Sequence, residues 1–274
     1  MLTRPIPKSQ EPLPVVGLGT WQAFDIGPDR AGREQRKEVL RALFEAGGRV
    51  IDSSPMYGRA EEAVGTLLAE MEAHDKAFLA TKVWTSGEAA GVKQMNASFA
   101  KLQVPAIDLM QIHNLVDWRT HLETLRAWKE KKRFRYIGIT HYTVSALDDL
   151  AAVIRAEPID FVQLAYSIDM REPESSLLPL AAERGVAVLV NRPFSSGGLF
   201  NQVRGKALPK WAAEFDCASW GQFFLKFILG HPAVTCVIPG TAKPEHMRDN
   251  VGAGLGRRPD EAQRRRMAAY WKGL

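Results

Sequence analysis

Eight strand-like segments alternate with eight helix-like segments along this chain, and that alternation restricts the possible folds more than any other feature. The strand-like segments are short apolar runs such as Val50-Ile51-Asp52, and the segments between them carry apolar residues at helical spacing. Each strand–helix unit spans roughly 25–35 residues, which is the repeat length of a closed barrel of eight units. The pattern therefore predicts an α/β fold, a (β/α)8 TIM barrel. A doubly wound parallel sheet, built from roughly six or seven units, is the alternative.

The predicted elements follow one another without a linker or low-complexity tract, so residues 1–274 are predicted to form a single domain. The strands are expected at residues 14–21, 50–52, 77–82, 107–112, 136–140, 161–164, 186–190 and 234–238. The helices are expected at residues 34–46, 61–71, 89–102, 120–131, 144–156, 176–184, 219–229 and 244–253, with a loop at 25–32. Residues 1–12 suggest a short N-terminal hairpin. Pro259-Asp260-Glu261 predicts the start of a C-terminal helix that would cover one end of the barrel with Met267, Tyr270 and Trp271.

Composition excludes several classes of protein. A hydrophobic content of 46% with 24% charged residues is typical of a soluble globular chain, and the net charge of +5 is only mildly basic. The arginines of the tail, at 257–258 and 264–266, lack interleaved aromatic residues and indicate a solvated helix face, so no nucleic-acid partner is predicted. Neither a signal peptide nor a membrane span is expected. The two cysteines, Cys217 and Cys236, form no CxxC motif, which favours a reducing cytoplasm.

Four polar residues stand at or just beyond the ends of three neighbouring predicted strands, and they are Asp52, Tyr57, Lys82 and His113. The carboxyl ends of parallel strands meet at one mouth of a barrel, where catalytic residues collect. Taken singly, Asp52 would be a helix cap or surface partner and His113 a structural histidine; together the four predict a site. A lysine beside a tyrosine favours the phenolate, so we expect Lys82 to lower the pKa of Tyr57 from about 10.

Two other catalytic or binding classes fit the residues less well. A metal-dependent hydrolase needs several His, Asp and Glu side chains at strand ends, and only Asp52 and His113 qualify, so no metal is predicted. The pair Gly17-Leu18-Gly19 begins like a dinucleotide-binding fingerprint, but Gln22 takes the place of the third glycine. We interpret these glycines as a tight turn after the first strand.

The chain resembles the aldo-keto reductases along nearly its whole length, in motifs whose order and spacing make the likeness specific. The motifs are Gly17-Leu18-Gly19-Thr20-Trp21, Ile51-Asp52-Ser53-Ser54-Pro55-Met56-Tyr57-Gly58, Thr81-Lys82-Val83-Trp84, Asp108-Leu109-Met110-Gln111-Ile112-His113, Gly138-Ile139-Thr140-His141, Gln163 and Val237-Ile238-Pro239-Gly240-Thr241. The resemblance implies a (β/α)8 fold, an NADPH cofactor bound without a Rossmann domain, and a catalytic tetrad at Asp52, Tyr57, Lys82 and His113.

The resemblance also implies individual roles. Tyr57 would be the general acid for a carbonyl substrate, with Lys82 and Asp52 supporting it and His113 orienting the carbonyl. Trp21, Phe24 and Trp84 would wall an apolar substrate pocket. Cofactor contacts are implied at the nicotinamide for Thr140, His141, Gln163 and Asn191, at the pyrophosphate for Arg192, Phe194 and Ser196, at the ribose phosphate for Thr241, Lys243, His246 and Arg248, and at the adenine for Asn250.

The expected function is therefore an NADPH-dependent carbonyl reductase. Asn191 stands where similar proteins often have a tyrosine that stacks on the nicotinamide ring, so ring support would come from elsewhere. A nicotinamide-binding sensor or regulatory subunit with slow chemistry on the same fold is the alternative. A monomer, with a small-molecule carbonyl as its only partner, is the expected state.

Overall fold

The computed structural model describes all 274 residues and contains a closed barrel of parallel strands, which confirms the predicted fold class. Each barrel strand pairs with the next one along the chain, and bridges from Val16 to Val237 and from Gly19 to Gly240 join the last strand to the first. The strands are β3 (Leu18–Gly19), β4 (Val50–Asp52), β5 (Phe78–Val83), β6 (Ile107–His113), β7 (Phe134–Thr140), β8 (Phe161–Ala165), β9 (Ala187–Asn191) and β10 (Cys236–Val237). A short antiparallel hairpin, β1 (Thr3–Pro5) and β2 (Pro12–Pro14), precedes them as predicted.

Helices surround the barrel and connect its strands. They are α1 (Arg30–Glu45), α2 (Ala60–Glu70), α3 (Glu88–Leu102), α4 (Trp118–Glu130), α5 (Leu147–Ala156), α6 (Leu177–Glu183), α7 (Gly198–Gln202), α8 (Trp220–Leu229), α9 (Pro244–Gly252) and α10 (Glu261–Lys272). Short 3-10 turns occur at His74–Lys76, Val144–Ala146, Glu172–Ser175, Ser195–Gly197 and Lys210–Phe215. None of the helices combines the length and the apolar character needed to cross a membrane.

The interior of the barrel has an apolar half and a polar half. Successive side chains of a strand point to opposite faces, so every second residue enters the barrel. The apolar half is a cluster to which the hairpin contributes Ile6 and Leu13, and the hairpin therefore closes the amino-terminal end of the barrel. The polar half lies nearer the carboxyl ends of the strands. There the same strand faces carry Asp52, Lys82 and Gln111, which are all buried. The polar half of the interior is the floor of the candidate site.

Two local predictions differ from the structure. Helix α1 begins at Arg30 inside the predicted loop, because Asp29 caps it by accepting a hydrogen bond from Gly32 N at 2.7 Å. The first barrel strand is shorter than predicted. The C-terminal helix starts where expected, with Asp260 and Gln263 forming a capping box. It packs against α8, where the rings of Trp271 and Phe224 are 5.4 Å apart.

Gly19 explains the first glycine-rich motif, and the predicted tight turn is wrong. Gly19 lies on β3, where it pairs with Asp52 of β4. A β-carbon at Gly19 would stand 2.8 Å from the carbonyl oxygen of Ile238. Ile238 belongs to the chain segment that closes the barrel. Glycine is needed here because the first and last strands approach closely, and not because a phosphate binds.

Candidate active site

Three strands present the predicted tetrad at the carboxyl-terminal mouth of the barrel. Asp52 is the last residue of β4, Lys82 lies near the end of β5, and His113 is the last residue of β6. Tyr57 follows β4 in a turn whose backbone is held by a 3.0 Å bond from Tyr57 N to the Ser54 carbonyl. The structure thus brings the four residues together around one point, as the spacing of the sequence predicts.

Lys82 forms the centre of this group and is fully buried. Its Nζ donates to Asp52 Oδ2 at 2.6 Å and to the Ser53 carbonyl at 2.7 Å, and it lies 4.9 Å from the centre of the Tyr57 ring. Burial alone would lower the pKa of Lys82, but Asp52 and Tyr57 raise it and the net direction is upward. Lys82 is therefore a fixed positive charge beneath Tyr57.

Tyr57 keeps its proton: Lys82 lowers the pKa of Tyr57 as predicted, but the net shift is upward. Burial raises the pKa of Tyr57 above 10, and the positive charge of Lys82 offsets only part of that rise. The sequence predicts that the Lys82 cation lies near Tyr57. It does not predict how far the fold excludes water from the Tyr57 phenol. A neutral Tyr57 is the form that can donate a proton at physiological pH.

The turn that carries Tyr57 depends on Asp25, which the sequence analysis did not single out. Gly58 has a φ of +60°, and a β-carbon there would stand 2.4 Å from Asp25 Oδ1. The same carboxylate oxygen accepts a hydrogen bond from Arg59 N at 2.9 Å. Asp25 therefore fixes the turn just after Tyr57, and only glycine fits beside it.

His113 is a neutral imidazole. Burial lowers the pKa of His113 to about 3, and the neighbouring Lys82 and His141 act in the same direction. Its Nδ1 lies 3.1 Å from Ser54 Oγ, which itself accepts a hydrogen bond from Met56 N at 3.4 Å. A serine hydroxyl that donates to Nδ1 leaves the ring proton on Nε2.

The nicotinamide candidates Thr140, Gln163 and Asn191 lie together on β7, β8 and β9. Gln163 Oε1 accepts from Thr140 Oγ1 at 3.3 Å and from Asn191 Nδ2 at 3.2 Å. Gln163 Nε2 donates to Asp52 Oδ1 at 2.8 Å and to Gln111 Oε1 at 3.1 Å. The amide of Gln163 is thus fully occupied by the protein, whereas Asn191 Oδ1 is buried without a partner.

His141 follows β7 at the rim of this group. Its Nδ1 accepts hydrogen bonds from the backbone N–H of Tyr142 at 3.1 Å and of Thr143 at 3.2 Å. An acceptor at Nδ1 leaves the proton on Nε2, and burial lowers the pKa of His141. His141 therefore presents one neutral N–H donor near the mouth.

The pyrophosphate candidates lie in the loop after β9, and they do not behave alike. Arg192 bonds Ser196 Oγ at 3.1 Å and the Tyr142 carbonyl at 3.5 Å, and its guanidinium lies 5.2 Å from the centre of the Tyr142 ring. Its partners are neutral, so its charge is uncompensated. The Phe194 ring instead packs against Phe200 at 5.0 Å and is half-buried.

The remaining cofactor candidates surround the start of α9. Thr241 is buried, and its Oγ1 accepts a hydrogen bond from Lys243 N at 3.1 Å. Lys243 and His246 are exposed, whereas Asn250 is buried on the inner face of α9. Arg248 is exposed and lies 3.9 Å from Glu38 of α1, so it shares its charge with a carboxylate.

The substrate candidates separate into two groups. Trp21 and Trp84 are 52% and 42% exposed, and the Trp84 ring is 6.3 Å from the His113 ring. Met56, which is not among the predicted substrate residues, is also exposed beside Tyr57. Phe24 is completely buried in the main hydrophobic core, so it packs against the protein instead of lining the open mouth.

Comparison with known proteins gives a consistent result. An aldo-keto reductase from Strobilurus tenacellus, str7, is 30% identical, with 87% of this chain and 83% of the relative covered. The methylglyoxal reductase YeaE of Escherichia coli K12 is 28% identical, with 87% and 84% covered. An aldo-keto reductase from Klebsiella pneumoniae, solved in complex with NADPH, superposes with a TM-score of 0.81 at 23% identity over 99% of this chain and 96% of that one. The family model described as "Aldo/keto reductase family" matches residues 15–268, and this chain belongs to that family.

Proposed function

We propose that this protein reduces a carbonyl compound with NADPH and that Tyr57 is the general acid. The observation that carries this proposal is the placement of Lys82, buried between the Asp52 carboxylate and the Tyr57 ring. A buried ammonium is costly unless it has a partner and a purpose, and here its positive charge is aimed at a phenol at the mouth of the barrel. Family membership and the NADPH complex of a structural relative support the same conclusion.

The residues at the mouth suit a nicotinamide dinucleotide. Asn191 Oδ1 is a buried acceptor without a donor, and Arg192 bonds only neutral oxygens. A carboxamide N–H and a pyrophosphate would satisfy these two groups respectively. Thr140, His141, Ser196, Thr241, Lys243, His246 and Asn250 remain candidates for further contacts. When bound, NADPH would supply the hydride for the carbonyl carbon.

The protein side of the reaction concerns charge on the carbonyl oxygen. Negative charge develops there in the transition state, and neutral Tyr57 donates its proton to that oxygen. Lys82 stabilises the tyrosinate that results, and Asp52 holds Lys82 in place. The Nε2–H of neutral His113 can donate a hydrogen bond to the same oxygen. Trp21 and Trp84 offer apolar surface to the rest of the substrate.

Steady-state kinetics with purified protein test the proposal. We expect NADPH oxidation with members of a panel of aldehydes, ketones and quinones. Methylglyoxal belongs in the panel because one relative is named for its reduction. NADPH binding measured separately by calorimetry establishes that the cofactor site is intact. Tight NADPH binding without oxidation by any carbonyl, even in a single turnover, would favour the sensor or regulatory alternative.

A further inference from the structure

Asp52 has a second set of partners besides Lys82. Its Oδ2 accepts the hydrogen bond from Lys82, while its Oδ1 accepts from Gln111 Nε2 at 3.1 Å and from Gln163 Nε2 at 2.8 Å. Gln111 and Gln163 are both essentially without solvent contact. Two amides and one ammonium therefore surround a single carboxylate in the interior of the barrel.

The carboxylate sets the orientation of both glutamine amides. An ionised carboxylate can only accept hydrogen bonds, so both glutamines must turn their NH2 groups toward Asp52. The second hydrogen of Gln163 Nε2 is donated to Gln111 Oε1 at 3.1 Å, which ties the two amides together. Lys82, Gln111 and Gln163 therefore each donate one hydrogen bond to Asp52, and the orientation of both amides is fixed.

We propose that Gln111 is a positioning residue for the proton-donating group: with Gln163 it holds Asp52 Oδ1, so that Oδ2 remains directed at Lys82. Gln111 does not reach the reacting atoms, and it acts through Asp52 and Lys82 on Tyr57. Its location supports the role, because Gln111 pairs with Lys82 across β5 and β6 and lies two residues before His113 on the same face of β6. The proposal rests on the proposed carbonyl reduction.

An apolar residue at this position would leave Asp52 with a single amide donor. The carboxylate could then rotate about its Cβ–Cγ bond, and the ammonium of Lys82 would follow it. A displacement of about 1 Å in a catalytic group can reduce a rate by about 100-fold. The expected signature is therefore a loss in kcat with NADPH binding preserved, because the Gln111 side chain bonds Asp52 and Gln163 and no residue of the loops after β9 and β10.

Two variants and a control test this role. Gln111→Leu removes the donor, and we expect kcat to fall about 10- to 100-fold while KM for NADPH changes by no more than about twofold. Gln111→Glu places two carboxyl groups side by side, which favours a single shared proton. While that proton is present, the introduced carboxyl can donate to Asp52 Oδ1 as the amide does. Leu109→Val alters packing two residues earlier on the same strand, within the apolar half of the interior.

The pH profile distinguishes positioning from simple packing. We expect the kcat of Gln111→Glu to be highest in acid and to fall as the shared proton is lost, whereas wild type and Leu109→Val stay level across the neutral range. Wild-type-like kcat and pH profile in both Gln111 variants would overturn the proposal. If Gln111→Leu does not fold, Gln111→Glu decides alone. A wild type that reduces no carbonyl refutes the proposed function and this role with it, while an active wild type beside unaffected variants refutes the role only.

Discussion

Lys82 Nζ donates a hydrogen bond of 2.6 Å to Asp52 Oδ2 inside the barrel, where neither side chain has appreciable contact with solvent. In such a pair each charge compensates the desolvation of the other. Removing one partner therefore has a different consequence from removing the other. Without Lys82 the proposed reaction loses its cation, and the Asp52 carboxylate keeps only two amide donors. Without Asp52 the protein retains a buried ammonium that lacks its counter-ion.

Lys82→Met and Asp52→Asn should both lower stability, because each breaks a buried ion pair, but they should differ in their effect on the chemistry. We expect Lys82→Met to lower kcat at least as much as loss of the acid itself, because no charge remains to stabilise the tyrosinate. Asp52→Asn should slow the reaction less but lower the free energy of unfolding by about 3–5 kcal/mol, the usual effect of breaking a buried pair. Chemical denaturation and steady-state kinetics measure the two effects.

Arg265→Ala is the control for the ion pair. Arg265 and Glu261 form an exposed pair on α10, with side chains 66% and 65% exposed, and such pairs contribute little. Its removal should leave both stability and kcat unchanged. A larger loss of kcat in folded Asp52→Asn than in folded Lys82→Met would reverse the proposed order of importance.

Tyr57→Phe removes the proposed proton donor and keeps the ring. General acid groups contribute about 10²–10⁴-fold to rates, and we expect kcat to fall by that order with NADPH affinity unchanged. Calorimetry of NADPH binding beside kinetics with the best substrate makes the comparison. Activity within about threefold of wild type would remove Tyr57 from the mechanism.

The rate of reduction should be insensitive to pH until alkaline conditions. Since burial raises the pKa of Tyr57 above 10, the tyrosine stays protonated through the neutral range and loses its proton only at higher pH. His113, with a pKa of about 3, stays neutral over the same range. We expect kcat to be level at neutral pH and to decline only as Tyr57 ionises. A decline centred near pH 7 would mean that another group donates the proton.

Protein stability should fall in acid because of His113. In the unfolded chain histidine has a pKa near 6.5, whereas the pKa of folded His113 is about 3. Between these pH values the unfolded state binds a proton that the folded state does not bind. The contribution of His113 to the free energy of unfolding is complete above about pH 6.5 and is lost progressively as the pH falls toward about 3. His113→Gln should reduce the pH dependence measured by urea denaturation. The exposed His246→Gln serves as the control, and equal slopes in both variants would contradict the assignment.

Much of the fold and part of the site could be predicted because they depend on local pattern. Asp52, Lys82 and His113 come at the ends of consecutive parallel strands, and parallel strands bring their ends to one mouth. The same rule of alternation would have identified Gln111, which lies on the face that also carries Leu109 and His113. The sequence contained that signal, but an amide indicates a catalytic site less strongly than an ionisable group does.

Other features depend on contacts between distant segments and could not be predicted. Phe24 follows Trp21 closely in sequence, yet one is buried in the core and the other exposed at the mouth. The closeness of Asp25 to Gly58 joins two loops that are far apart in the chain. The pKa of Tyr57 reflects the balance between burial and one nearby charge, and burial is a property of the whole fold.

We expect any preference for NADPH over NADH to depend on the region around α9. The two cofactors differ by one phosphate, so discrimination needs donors or positive charge at that place. Lys243 is exposed just before α9, and helix amino termini attract phosphate. Arg248 shares its charge with Glu38 at 3.9 Å, and His246 is a weaker partner than a permanent cation. We therefore expect a moderate preference for NADPH, about 10- to 100-fold in kcat/KM.

Lys243→Ala and Arg248→Ala test this expectation when kcat/KM is measured with both cofactors at one physiological salt concentration. Lys243→Ala should lower the preference more, because no carboxylate competes for its charge. Glu38→Ala is the matched variant: it frees Arg248 and should raise the preference if Arg248 reaches the phosphate. Wild-type preference for NADH would refute the assignment of this region. An unchanged ratio in both alanine variants would leave Thr241, His246 and the amino terminus of α9 to recognise the phosphate.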